Sequence, residues 1–520
     1  MRIIHTSDWH LGQYFYGKSR AKEHQQFLSW LIAQAKTHQV DAIIVAGDVF
    51  DTSTPPSYAR EMYFTFINEM QSLDCQLIIL AGNHDSVAML GESKALLSSL
   101  STQVITHVVP EETLKNDSLN DAVLQSRQVF TIENNAKQPQ AVICAIPFVR
   151  PRDVIKSSAG QSATEKQKNL QQAISDHYQH LYQQAQQLVK QIETEQKRSV
   201  PIIATGHLTA LGVSMSDSSS DAVRDIYIGT LEAFPSSAFP PADYIALGHI
   251  HRAQKVGKTE HIRYCGSPIA LSFDEAKQDK RVLLVDFTAD ELNYVTDLSI
   301  PTFQPLVMIK ATLESLPKKL EQAIAEQQSI ASAALEKNAS DVATIKSKHD
   351  DAPSTEATTT DVINCDATNI KVTESDTKKG RVNIWLDIEI EQSDHLNDLS
   401  FRVNEMINDL PVEVLLVRRA KKSRKPGEQV LAEQDVTLDE LSVDEVFNSR
   451  LAELDWQSDE ELERKERLAL LFKQVAAQVT EGASAEAPEQ KQEMQQNQEK
   501  PLSTEQPSIS PISNEKQASK

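Results

Sequence analysis

The sequence predicts an α/β sandwich over residues 1–300, followed by smaller units, on three observations. Short β-branched runs recur through that stretch. They are apolar almost without a break, as strands buried on both faces of a sheet must be. Helical or irregular stretches alternate with them. At 520 residues the chain also exceeds one ordinary core, and a prior of roughly 150 residues per domain suggests about three units.

In order, the expected strands are "RIIHT", "DAIIVAG", "QLIILAG", "AVICAIPF", "PIIATGH", "YIALGHI", "IRYCGS" and "RVLLVDF". Between the first of these, Ala21 to His38 and Ser57 to Gln71 carry apolar residues at three-to-four spacing and read as helices. The second is entered through "TSTPPS", whose prolines suit a loop running into a helix. A Gln-rich stretch from about Thr164 to Lys197 reads as a long helix with sparse apolar positions, packed on one side only.

The texture changes near Pro305. "PLVMIKATL", "LPKKLEQAIAE", "RVNIWLDIEI", "LSFRVNEMINDL" and "VEVLLVRR" read as β-α-β-α-β, a small α+β domain over 301–425. Residues about 328–379 interrupt it with Ser, Thr, Ala and Asp and few large hydrophobes, the composition of a disordered insertion. After the basic run "RRAKKSRK" (418–425), residues 436–480 show two helical patterns with one apolar face, which needs a partner to cover it. Residues 481–520 are Gln, Glu, Ser and Pro without periodicity and read as a disordered tail.

Composition narrows the function classes. With 40% hydrophobic and 24% charged residues and a mean hydropathy of -0.39, no stretch resembles a membrane span. "MRIIHTSDWH" contains no signal-peptide apolar core, so a cytoplasmic location is expected. Cys75, Cys144, Cys265 and Cys365 form no CxxC pair and read as small hydrophobes in a reducing compartment. A net charge of -22 opposes contact with a polyanion, so nucleic-acid binding has to be local or assisted. Arg20, Lys22, Arg150 and Arg152 are scattered candidates for phosphate contacts, and "RRAKKSRK" reads more readily as a solvated face.

Chemistry concentrates just after the strands. Asp8 and His10 ("SDWHLG"), Asp48 ("AGDVFD"), Asn83 ("AGNHDS"), His207 ("TGHL") and His249 with His251 ("LGHIH") are ligand-type residues at strand ends. Singly, each has an innocent explanation as a turn former or a hydrogen-bonded imidazole. Collectively they point to one site, because the carboxyl ends of sheet strands converge on one edge. The donors are oxygen and imidazole without thiolate, which suits exchangeable ions such as Mn²⁺ rather than structural zinc. Seven donors are too many for one ion with an open position, so two ions are expected. The division would be Asp8, His10 and His251 on one and Asn83, His207 and His249 on the other, with Asp48 bridging. Such a pair activates water for displacement at phosphorus. His84 would face the substrate, stabilising the transition state or protonating the leaving oxygen, and Asp85 reads equally as a carboxylate holding its ring or as a turn or helix N-cap.

The series DxH, GDxxD, GNHD, GH, GHxH resembles the calcineurin-like metallophosphoesterase superfamily, all five blocks in order. "HTSDWHLGQ", "AGDVFDTSTPPSYAR", "IPFVRPRD" and "YCGSPIALSFDE" place the likeness nearest the branch of bacterial DNA nucleases. The resemblance implies a four-layer sandwich of two mixed β-sheets flanked by helices, a capping domain over DNA, and a C-terminal helix pair docked on an ABC-type ATPase. It also implies a manganese-dependent nuclease in a complex with two copies of each subunit, cutting double-stranded ends from 3′ to 5′ and single strands or hairpins internally. Archaeal and eukaryotic relatives have a His where this chain has Asp51, which is therefore expected to act only as an orienting carboxylate. Two other readings stay open: a phosphatase or cyclic-nucleotide phosphodiesterase on the same scaffold, or a subunit that merely holds the ATPase. Phosphoprotein phosphatases of the superfamily place an Arg where this chain has Thr52, so the clamp for a phosphomonoester is missing.

Overall fold

The computed structural model describes residues 1–108, 128–134, 136–155, 162–210, 234–330, 383–391, 399–408, 410–420, 465, 467–468 and 470–472. Strands β1 (Arg2–Thr6), β2 (Tyr14–Phe15), β3 (Lys18–Ser19), β4 (Ala42–Ala46), β5 (Gln76–Leu80) and β6 (Thr102–Ile105) come first. They are followed by β7 (Val129–Glu133), β8 (Pro139–Cys144), β9 (Ile202–His207), β10 (Tyr244–Gly248), β11 (Gln254–Lys255) and β12 (Ile262–Tyr264). Last come β13 (Arg281–Thr288), β14 (Glu291–Ser299), β15 (Leu306–Ala311), β16 (Ile384–Ile390) and β17 (Val412–Arg419).

Two six-stranded mixed sheets result, β14-β13-β1-β4-β5-β6 and β11-β12-β10-β9-β8-β7. In the first, β1, β4, β5 and β6 run parallel, β13 runs antiparallel to β1, and β14 antiparallel to β13. In the second, β8, β9, β10 and β12 run parallel, with β7 and β11 antiparallel at the edges.

The unbroken apolar runs reflect what each strand face meets. In β1 and β4, Ile3, Ala42, Ile44 and Ala46 pack between the sheets, against Ile143, Ile203, Tyr244 and Ala246 of the second. The alternate residues Ile4, Ile43 and Val45 pack outward against the helices Ala21–Thr37 and Ser57–Met70, through Phe27, Leu31, Tyr63 and Phe66. The outer face of the second sheet is covered by the helix Ala163–Gln196, through Leu170, Ile174, Tyr178 and Leu181. Helix, sheet, sheet and helix give the four layers expected. The long helix starts at a reciprocal cap, Ser162 Oγ accepting from the Glu165 amide while the Glu165 carboxylate accepts from the Ser162 amide, and stops at Lys197 in left-handed conformation.

Beyond the sandwich, β15, β16 and β17 form a parallel sheet in that order, with a helix over residues 316–330 and another at Leu399–Ile407. This is the β-α-β-α-β read from sequence, and Leu316, Leu320, Leu386, Ile388 and Val403 form its core. It rests on the sandwich through Trp385 and Leu306, packed with Phe15 and Phe273. Residues 1–421 form one compact unit and 422–520 a second. Residues 328–330 belong to a helix, and the rest of the expected insertion lies outside the described residues, as does the tail. Of the expected helix pair, 465, 467–468 and 470–472 are described, all helical. Among the described residues, no helix is long and apolar enough to cross a membrane. Cys144 and Cys265 are buried and unpaired, as expected, and Cys75 is free and half-buried.

Candidate metal centre

Parallel strands of both sheets end at one edge, and their ends carry the residues read from the sequence. Trp9 separates Asp8 from His10 and fixes both. Its indole is fully buried against Phe27 and Phe66 at 5.8 and 5.3 Å, and its Nε1–H donates to Thr6. The residues on either side are thereby turned toward the site. The Asp8, His10 and Leu11 amides donate to the carbonyls of Gly47, Asp48 and Val49, so the first and second loops are laced together.

Asp8, His10, Asp48 and His249 all have positive φ, at 54°, 47°, 51° and 92°. Left-handed backbone costs a non-glycine residue roughly 1–2 kcal/mol, and it clusters where side chains must be aimed. Glycines provide the close approach. A Cβ on Gly82 would lie 2.1 Å from the Asp48 carboxylate, and one on Gly248 would lie 2.0 Å from the Ala46 carbonyl.

The result is two groups whose ligand atoms lie within 4.8 Å of one another, Asp8–His10–His251 and Asp48–His207–His249. Asn83 joins the second, its Oδ1 3.0 Å from both His207 Nε2 and His249 Nδ1. Asp48 stands between the groups: its Oδ2 is 3.1 Å from His207 Nε2 and 3.7 Å from His10 Nε2. All seven residues read from strand ends are therefore brought together.

The imidazoles are held from behind. His207 Nδ1–H donates to the Ala46 carbonyl at 2.8 Å, His10 Nδ1–H to Asp51 at 3.2 Å and His251 Nδ1–H to Glu275 at 3.2 Å, so each leaves Nε2 facing the site. His249 presents Nδ1 instead. His84 donates Nδ1–H to the Asp51 carbonyl at 2.8 Å and stands edge-on to His10, rings 4.8 Å apart.

That contact corrects one expectation. Asp85 does not hold the His84 ring; its carboxylate accepts from the amides of Val49, Phe50 and Gly82 and pins the loop carrying Asp48. An aspartate two residues after Asn83 satisfies backbone donors more readily than it reaches back to a ring aimed elsewhere. A second correction concerns Arg20, which is not a surface phosphate contact. It is buried at 1% exposure, paired with Glu23, bonded to the Ala270 carbonyl and stacked 5.0 Å over Phe15. Arg150 is also turned inward, onto the carbonyls of Gly82 and Asp85, whereas Arg152 remains exposed.

Charge explains what the site can hold. Burial works against a charge on His10, but the hydrogen bond to Asp51 and the charges of Asp48, Asp51 and Asp8 outweigh it and lift its pKa to about 9. His207 is likewise raised to about 9, burial being overcome by the charge of Asp48 and the bond to it. Burial, then repulsion from His207, pushes His249 down to about 3 and keeps it neutral. Among the described residues, no Lys or Arg pairs with Asp8 or Asp48, and His10 Nε2 is buried without a hydrogen-bond partner. Buried carboxylates unpaired with Lys or Arg, an amide oxygen and imidazole nitrogens fit a pair of divalent ions.

Sequence reasoning missed Glu275, whose only signal is an acidic residue inside the apolar segment "IALSFDE". It also missed Ser7, whose hydroxyl donates to Asp8 Oδ2 at 2.5 Å.

Known proteins resemble this chain. Residues 1–253 match the family described as calcineurin-like phosphoesterase, and residues 361–454 match that described as type 5 capsule protein repressor C-terminal domain. The chain is 46% identical over 468 residues to the D subunit of nuclease SbcCD from Escherichia coli strain K12, covering 89% of this chain and 96% of that protein. It is 32% identical over 314 residues to the corresponding SbcCD nuclease chain of Rhodobacter capsulatus, covering 60% and 71%, and 30% identical over 315 residues to that of Bacillus subtilis, covering 60% and 72%.

Proposed function

We propose, from the premise that this chain belongs to the SbcD nuclease-subunit family of calcineurin-like phosphoesterases, that it hydrolyses DNA phosphodiesters with two divalent ions, Mn²⁺ being favoured by the donors. The observation that carries this reading is Asp48, within 3.1 Å of His207 on one side and 3.7 Å of His10 on the other, between two groups able to bind metal. Asp8, His10 and His251 would hold one ion, Asn83, His207 and His249 the other, and Asp48 both. Bound there, the ions supply Lewis acidity and a water of lowered pKa.

The protein's own groups do the rest. Asp85 and Arg150 fix the loops that aim Asp48 and Asn83. His84, with Nδ1–H committed to the Asp51 carbonyl, would as an imidazolium have Nε2–H left to donate to a phosphoryl oxygen or to protonate the departing oxygen. The carboxylates of Asp8 and Asp48 keep an unassisted phosphate out, so substrate entry depends on the ions.

By the same membership we read the activity as an ATP-dependent 3′ to 5′ exonuclease on double strands and an endonuclease on single strands and hairpins. It would act in DNA repair, replication and recombination, in the cytoplasm. An SbcC-like ABC-type ATPase would be its partner, in a two-plus-two assembly containing a homodimer of this chain. Residues 1–300 would be the nuclease domain, 301–425 the cap and 436–480 the ATPase dock. With a net charge of -22, the chain alone should bind DNA weakly, and the ATPase would supply much of the phosphate-contacting surface.

The test is cleavage of double-stranded, single-stranded and hairpin DNA by the purified chain with Mn²⁺ or Mg²⁺, with and without the ATPase. Intact DNA in every arm would remove the reading. Tight, salt-insensitive DNA binding by the chain alone would remove the division of labour.

A further inference from the structure

Three of the four imidazoles at the centre are oriented through Nδ1, and their anchors differ in kind. His207 leans on a backbone carbonyl, His10 on the partly exposed Asp51, and His251 on the buried Glu275. The surroundings of Glu275 are built. Its Oε1 accepts from His251, and its Oε2 accepts from the Leu271 amide at 3.1 Å, Ser267 Oγ at 3.2 Å and Lys280 Nζ at 2.6 Å. Lys280 also donates to Ser267 and to the His251 carbonyl. Both side chains are only 10% exposed.

A buried ion pair contributes little net stability compared with apolar residues of the same volume, because desolvation offsets the attraction. Stability therefore does not account for Glu275 and Lys280. Orientation does: a charged acceptor on Nδ1 fixes the tautomer and strengthens Nε2 as a donor to a metal. The carboxylate is itself held by its neighbours in the chain. It ends the short turn Phe273–Glu275, whose Phe273 packs 5.1 Å from Phe15 in the cluster that seats Trp385 and Leu306 of the three-stranded sheet.

We propose that Glu275 is a positioning residue for the metal centre, turning His251 so that Nε2 joins Asp8 and His10 in holding one of the two ions. The inference rests on the two-ion reading above. The turn that carries Glu275 is clamped between the sandwich and the β15–β17 sheet, so the geometry of that ion site depends on how the sheet is seated.

The test is calorimetric titration of the full chain with MnCl₂, beside a nuclease assay at limiting and saturating Mn²⁺. The wild-type chain should take up two equivalents. Glu275→Leu combined with Lys280→Met leaves no unpaired buried charge, and its fold is checked by circular dichroism. One equivalent should weaken by roughly 10–100-fold while the other stays unchanged, with activity recovered at saturating Mn²⁺. Glu275→Gln, which keeps an acceptor oxygen, should lose less than about tenfold. Two equivalents at wild-type affinity in the double variant would overturn the proposal and leave the two-ion reading intact. A wild-type chain that binds no Mn²⁺ would overturn both.

Discussion

The two halves of the centre use the same residue types and hold them differently. Asp48, His207 and His249 are all buried, the His207 ring is braced by backbone, the Ala46 carbonyl, and the one carboxylate behind them, Asp85, holds backbone amides of the Asp48 loop rather than a ligand ring. Around Asp8, His10 and His251 the bracing is carboxylate, from Asp51 and Glu275, and His251 lies partly open. Backbone bracing is set by the fold itself. Side-chain bracing depends on charge and rotamer, so one half should tolerate substitution poorly and the other should be tunable.

The largest effect should come from the residue common to both halves. Asp48→Ala should abolish hydrolysis of hairpin DNA and weaken both Mn²⁺ equivalents, losing the several kcal/mol that metal-assisted charge stabilisation supplies. Loss of only one equivalent would move Asp48 into a single half. Next in size, His84→Ala should lower kcat by roughly 10²–10⁴-fold with Mn²⁺ uptake unchanged. A matching loss of metal in that variant would place His84 among the ligands.

Asp51→Asn sharpens the contrast. It should weaken Mn²⁺ roughly 10–100-fold at the carboxylate-braced half alone, read by calorimetry. The smallest effect is on stability. Protonated His10 and His207 are favoured by the folded state, since both pKa values are raised from 6.5 to about 9. Their stabilisation is present below pH 6.5 and is lost as pH rises through 9. The melting temperature of the chelated protein should fall across that window and fall less with Mn²⁺ bound, because the ion replaces those protons. A flat profile in chelator would show that neither ring carries the charge.

Much of the centre is legible in the sequence because strand ends are. "RIIHT" and "AIIVA" announce buried strands by residue type alone, and the residues just after parallel strands of a sheet must share its edge, so seven residues far apart can be assembled without coordinates. The bracing is not legible. Glu275 lies in a turn with no periodic signal, and its target is fixed by long-range packing. Asp85 misleads because sequence order suggests a neighbour's ring, whereas unpaired amides of another loop claim it first. Arg20 misleads similarly: a cation at a helix start reads as solvated unless an aromatic cage, here Phe15 and Trp385, comes from elsewhere.

The place of β1 in its sheet bears on when activity can first arise. β1 lies between β4 and β13, and the terminal amine of Met1 bonds the Phe287 carbonyl, 286 residues away. At ribosomal speeds of about 5–20 residues per second, the first strand would wait roughly 15–60 s for that neighbour. Limited proteolysis of stalled nascent chains that end before β13 should therefore find no protected sandwich. A copy that ends before β13 would carry all seven ligand residues beside a first strand still lacking one of its two neighbours.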